Sequence, residues 1–392
     1  MIAYNKTDLD ATFFVAEAEN MMYSGFIDKT VFNAIDKENI TLKTQDNILI
    51  RICLFLLGCI VYGSICGVLA LMMSNVDNFG DSFKIMVFVY AIIGFVATEF
   101  ILVKEAKFYG NGLDDAAIFG TILSVASGVA MISDWNYTLA SFIVAATSFF
   151  FYLRYINIPA LLIACCSFIY GLSIFMFDTI SFGKSLLPFV FIILSFIVYF
   201  VCKKIEINLV KPYYTSGLIL VKCFCLVLFY LAGNYFIVRS LSFELRDDYT
   251  IQDSEIPFSW FFWSFTFIVP VLYLYFGVKN RDKMMLWLGA LSLGFSFFSF
   301  RMYHHVLPPE IALTLGGVVL FVIAYFAIKK LKDKEEGITF KANRFEFSNA
   351  LLQLEVVASA AQFGVKPEVA APESPIEFGG GGYSGGGSGG EF

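Results

Sequence analysis

The chain has 392 residues, of which 58% are hydrophobic and 15% charged, with a mean hydropathy of +0.73. That balance excludes an ordinary soluble domain, because the apolar surface exceeds what one aqueous core buries, and it makes a lipid bilayer the expected solvent. The net charge of -6 at pH 7 comes largely from acids outside the apolar runs, such as Asp247, Asp248, Asp253, Glu255, Glu373, Glu377 and Glu391, so no nucleic-acid partner is expected.

Residues 1–47 read as a small helical hairpin. Asp8 is placed to cap a first helix presenting Phe13, Phe14, Met21 and Met22, and Gly25 suits its stop. Asp28 then starts a second helix carrying Val31, Phe32 and Ile35. Fewer than about 50 residues build little core of their own, so the hairpin must rest on the rest of the chain or on a partner.

Residues 48–328 form the membrane domain. Ten runs have spanning character: 48–73, 84–103, 114–132, 138–153, 158–177, 185–202, 216–238, 257–277, 283–300 and 309–328. The expected fold is an all-α polytopic membrane protein. Loops on one side carry Lys104, Lys107, Arg154, Lys203, Lys204, Lys211, Lys279, Arg281 and Lys283, against Lys84, Lys184, Arg239, Arg246 and Arg301 on the other. The richer side is cytoplasmic by the positive-inside rule, which puts both termini in the cytoplasm. The eight cysteines all lie in or beside apolar runs, where they pack as small hydrophobes without a disulfide framework. Pro270 is interior to the eighth run and is expected to bend it.

After Ile328 a basic stop, Lys329, Lys330, Lys332 and Lys334, leads into an amphipathic helix ending near Gly364, so that 329–364 is one cytoplasmic segment. Residues 365–392 are a Pro- and Gly-rich tail whose composition cannot support a fold of its own. Its aromatics Phe378, Tyr383 and Phe392, spaced by glycine, suit either capture by a partner or a plain solubilising end.

Ionisable residues inside spans are costly and are candidates for function. Glu99 and Lys222 lie at similar depth below the cytoplasmic surface and are candidates for an intramembrane polar pair; snorkelling of Lys222 and access of Glu99 to headgroup water form the alternative. Gly63-x-x-x-Gly67 is the sharpest small-residue packing motif, and Asn234 suits an interhelical hydrogen bond. His304 and His305 are adjacent without a third ligand at a recognised spacing, and the acidic loop 239–256 reads as solvated. No catalytic motif, dinucleotide fingerprint or phosphate loop occurs, so no catalytic residue, cofactor or metal is expected.

The run Ala16-Glu-Ala-Glu-Asn-Met-Met-Tyr-Ser-Gly25-Phe-Ile27-Asp-Lys-Thr-Val-Phe32, followed by a glycine-containing first span, resembles the opening of uncharacterised bacterial multispan proteins of the domain-of-unknown-function 2157 type. The resemblance covers roughly the first third of the chain. It implies a hairpin before paired spans and a bacterial inner (plasma) membrane, with no activity and no functional residue carried over. The glycine-rich tail resembles those of several bacterial envelope proteins. The reading is a scaffold, assembly or sensing protein that meets a protein partner through the N-terminal hairpin or C-terminal tail. A small-molecule transporter of the drug/metabolite-transporter type, with five-plus-five helices, is the alternative.

Overall fold

The computed structural model describes residues 2–45, 47–73, 79–180, 182–208, 212–244, 257–280 and 282–304, together with Thr314, Val318, Phe321, Tyr325 and Lys329 as single helical positions. The expected tenth span 309–328, apart from four of those positions, lies outside the described residues, as do the 348–364 helix and the tail with Phe378, Tyr383 and Phe392. The chain divides into a large unit, Met1–Phe13 with Thr41–Lys341, and a second unit to which Phe14–Ile40 belongs.

The described residues form α-helices and no named strand; Lys43 and Phe108 make an isolated bridge. Helix α1 covers Lys6–Tyr23 and α2 covers Lys29–Glu38; the bundle follows as α3 (Ile48–Met73), α4 (Phe79–Ala97), α5 (Leu113–Ile132), α6 (Tyr137–Tyr155), α7 (Ile158–Thr179), α8 (Gly183–Ile207), α9 (Thr215–Gly233), α10 (Tyr235–Glu244), α11 (Ser259–Asn280) and α12 (Lys283–His304). Helix α4 runs on through a π-helical segment, Thr98–Glu105. Nine of the described helices are long and apolar enough to cross a membrane, so the chain is an all-α multi-pass membrane protein. Short connections make successive spans antiparallel. The starts of α3, α5, α7, α9 and α12 and the ends of the π-helical segment, α6, α8 and α11 thus share one end of the bundle, called here the near end.

Local sequence explains the corners. Asn136 and Asn157 cap α6 and α7, their side chains accepting from the amides of Leu139 and Ala160. Gly25 stops α1 with a φ of +73°, where an L side chain is disfavoured. Asp8 does not cap α1 as the sequence suggests. The helix begins three residues earlier, at Lys6, with Asn5 accepting from the Thr7 amide, and this leaves the Asp8 carboxylate to meet Lys107.

Packing between spans uses glycines, but not the expected pair. A Cβ at Gly63 or Gly67 would meet nothing within 4 Å. The reason is helical periodicity: the face of α3 turned to α5 runs through Arg51, Gly58 and Tyr62, and Gly63 and Gly67 point away from it. The close approaches occur instead at Gly58, where a Cβ would lie 2.6 Å from Ala116, and at Gly94 and Gly120, where it would lie 2.6 Å from the Tyr62 side chain. Tyr62 thereby fills a slot between α4 and α5. Its carbonyl accepts from Tyr90 at 2.6 Å.

In the second half, buried Pro270 has no N–H for the carbonyl of Thr266, and the Ser296 hydroxyl of α12 donates to that carbonyl at 2.7 Å. The expected seventh span is interrupted. Asn234 leaves the helix at φ -76° and ψ 126°, dividing the run into α9 and α10.

Candidate functional site

Four charged side chains are buried among the described residues: Glu99, Asp114, Asp115 and Lys222. Three of them gather at the near end of α3–α7. Glu99 sits in the π-helical segment, whose wider turn is unusual inside a span and is often associated with functional sites. Arg154, in the last turn of α6, grips it as a fork: Nε donates to Oε2 at 3.0 Å and Nη2 to Oε1 at 2.5 Å. The Tyr155 hydroxyl adds a third bond to Oε2 at 3.0 Å.

The first turn of α5 supplies the other two acids. Asp115 accepts from Arg51 of α3 through Nε at 2.9 Å and Nη2 at 2.6 Å, and from Asn157 of α7 at 2.6 Å. One carboxylate thus ties three helices together. Asp114 accepts the backbone amides of Gly110, Asn111 and Gly112 at 2.7, 2.9 and 3.0 Å. Gly112 is required there twice over: its φ is +105°, and a Cβ would collide with the Arg51 carbonyl. Three acids face two arginines, and the remaining charge is answered by backbone dipoles.

The N-terminal segment closes over this network. The amide of Ala3 donates to the Arg154 carbonyl at 2.9 Å, Lys107 Nζ reaches Asp8 at 2.7 Å, and the Tyr213 hydroxyl donates to Asp10. Leu9 is fully buried, in one apolar cluster with Tyr4, Leu42, Val103, Tyr155, Ala160 and Tyr213. Burial, followed by the field of Asp114, holds the Tyr4 phenol well above the usual tyrosine range. Burial pushes Tyr109 up to about 12, with Arg51 pulling the other way. The two rings meet edge to face at 5.3 Å.

The expected Glu99–Lys222 pair does not form. Lys222 bonds both oxygens of Glu206, at 2.9 and 2.7 Å, while Glu99 belongs to Arg154. The reason lies in the length of α8. The sequence reading ends that span at Cys202, before two lysines, whereas the helix continues to Ile207 and carries Glu206 alongside α9.

A second polar cluster surrounds the interruption at Asn234, which is fully buried. Its Oδ1 accepts the amides of Phe236 and Ile237, capping α10, and the Ser299 hydroxyl at 3.3 Å. Its Nδ2 donates to Tyr230, whose own hydroxyl meets Ser296 at 2.8 Å, and the Tyr235 amide donates to Thr266 at 3.0 Å. Asn234 therefore makes the expected interhelical bond and also ends one helix and starts another. Among the described residues no group of three or more His, Cys, Asp or Glu side chains could hold a metal ion. The His304 side chain and His305 lie outside them, as do residues 245–256 of the acidic loop.

Arg51, Asp114, Asp115, Arg154, Tyr155, Asn157 and Glu206 all escaped the sequence reading as partners. Each stands at a span end, where a polar residue passes as ordinary loop chemistry. The helix α6 runs on to Tyr155 and so brings Arg154 inside the span, where it meets Glu99. Chemically, the near-end network pairs acids with bases and orients them in a buried place. No family model matches the chain, and no curated protein or solved structure is found to be similar to it.

Proposed function

We propose that the chain is a bacterial inner-membrane protein of scaffold, assembly or sensing type, with its near end in the cytoplasm and the hairpin that follows residue 13 engaging a protein partner. The positive-inside asymmetry supports the orientation. The observation that carries the reading is the contrast between the two units. In the bundle, each of the four charged side chains that are buried among the described residues is bonded to neighbours. In the second unit, α2 buries none of its residues, and Phe14, Tyr23, Phe26, Val31 and Ile40 are exposed on a segment too short for a core. The resemblance to the domain-of-unknown-function 2157 type belongs to the same proposal and adds no activity.

A photo-crosslinking residue at Phe14 or Val31, in intact cells, tests it. The expected result is a discrete protein adduct that Val31→Asp abolishes without loss of membrane insertion. Adducts to lipid alone would overturn it. For orientation, cysteines introduced near Lys203 in a background without native cysteines should be protected from an impermeant reagent added outside, and one at Asp248 should react.

Transport is the second reading, and one observation favours it. A span interrupted at Asn234 and surrounded by buried hydroxyls is the arrangement from which many carriers build solute sites. Purified protein in proteoliposomes that exchanges a solute, and loses the exchange in Asn234→Leu, would establish that reading in place of the first.

A further inference from the structure

We propose that residues 2–13 are a detachable plug that occupies a cup at the near end of the bundle and controls access to the Glu99–Arg154–Tyr155 centre. The segment is held by contacts of two kinds. The apolar anchor is Leu9, with no exposed surface, seated in the cluster that also contains Val103, Tyr155, Ile156 and Ala160. The polar holds are distributed over separate parts of the rim: Asp8 to Lys107 beyond the π-helical segment, Asp10 to Tyr213 before α9, and Ala3 to the last turn of α6. Thr12 adds a clasp, its hydroxyl accepting from the Leu42 amide at 2.9 Å, and the strand-like pairing of Lys43 with Lys107 and Tyr109 closes the far side.

Two features separate a plug from an ordinary buried terminus. None of these contacts is shared with the spans' own helical hydrogen bonds, so the segment can leave without breaking a single turn of α4–α7. What lies next to it is polar. Tyr155 shares the cluster of Tyr4 and Leu9 and donates to Glu99, and the Arg154 carbonyl accepts from Ala3, so detachment brings water toward a residue that is only 5% exposed. Segments of low local stability that cover such groups open independently of the global fold. The inference does not rest on the scaffold or the transport reading, since access to the near end matters to both.

Amide hydrogen exchange on the full chain in lipid nanodiscs tests it. The amides of Ala3 and Leu42, whose bonds cross the contact of residues 2–13, should exchange with one common rate, faster than the amides of residues 144–152 and 160–166 in α6 and α7. Leu9→Ala should raise that common rate on the order of thirtyfold, the effect of a large-to-small change in a packed cluster, and leave α6 and α7 unchanged; Leu9→Met should restore it. Exchange of these two amides in step with α6 and α7 in the unmodified protein would overturn the proposal, as would equal acceleration of both sets in Leu9→Ala. If Leu9→Ala does not fold, Lys107→Gln provides the milder perturbation, with a severalfold rise confined to the same two amides expected and a bundle-wide rise counting against it.

Discussion

Arg154 and Glu99 meet as a two-pronged fork between the last turn of α6 and a π-helical segment, 55 residues apart in sequence. The carboxylate side chain is only 7% exposed and the guanidinium 28%. Removing one partner leaves a buried charge unanswered. Arg154→Met should therefore cost about 3 kcal/mol, and Glu99→Gln combined with it should recover a measurable part of that loss. Unfolding in mild detergent, followed for the single and double variants, measures the coupling. Additivity within about 0.5 kcal/mol would dissolve the pair.

Lys222 and Glu206 should form a second, independent unit. Glu206→Gln should destabilise the protein by roughly 1–3 kcal/mol, less than at Glu99 because the Glu206 side chain is one-third exposed. A double-mutant cycle between Glu99 and Lys222, run in the same assay, should show no coupling, since each already has its own partner.

Glycines of the spans should divide sharply under substitution. Gly120→Ala forces a methyl group to within 2.6 Å of the Tyr62 ring and should cost about 1–3 kcal/mol. Gly63→Ala and Gly67→Ala meet open space and should be neutral or stabilising by up to about 1 kcal/mol. Thermal unfolding of the three variants distinguishes the packed slot from the unpacked motif.

The phenols beneath the N-terminal segment give a pH dependence with a definite sign. Tyr4 and Tyr109 bind their protons more tightly in the folded chain than in the unfolded one, where tyrosine titrates near 10. Their contribution is therefore fully present below about pH 10 and is lost as pH rises through the folded values, which for Tyr109 is about 12. Tyrosinate absorbance across an alkaline titration should show late-ionising phenols, and Tyr109→Phe should remove one of them. Titration of Tyr109 with the bulk of the tyrosines would contradict the buried setting.

Composition and hydropathy made the fold class legible, because crossing lipid demands long apolar helices whose lengths can be read from the residues. The short run at 138–153, bounded by Asn136 and Arg154, proved to be the full span α6. The site was half legible. Glu99 and Lys222 stood out as charges inside spans, yet depth alone could not reveal their partners, because lateral neighbours depend on how the helices are ordered in the plane of the membrane. Glycine spacing failed for a related reason: Gly63 and Gly67 satisfy the pattern, while Gly94 and Gly120, on two different helices, acquire their meaning only from Tyr62. The interruption at Asn234 carried a weak signal, since an asparagine in the interior of an apolar run competes with the helix for its own backbone amides.

Tyr62, Gly94 and Gly120 occupy a single shared volume, although they come from three helices. Such a trio is coupled through its packing. Bulk gained at either glycine position must be surrendered at position 62, and loss of the ring leaves a void that only growth at 94 or 120 can refill. Chains descended from a common ancestor with this one should therefore show the three positions changing together, with the sum of their side-chain volumes held nearly constant while each member drifts.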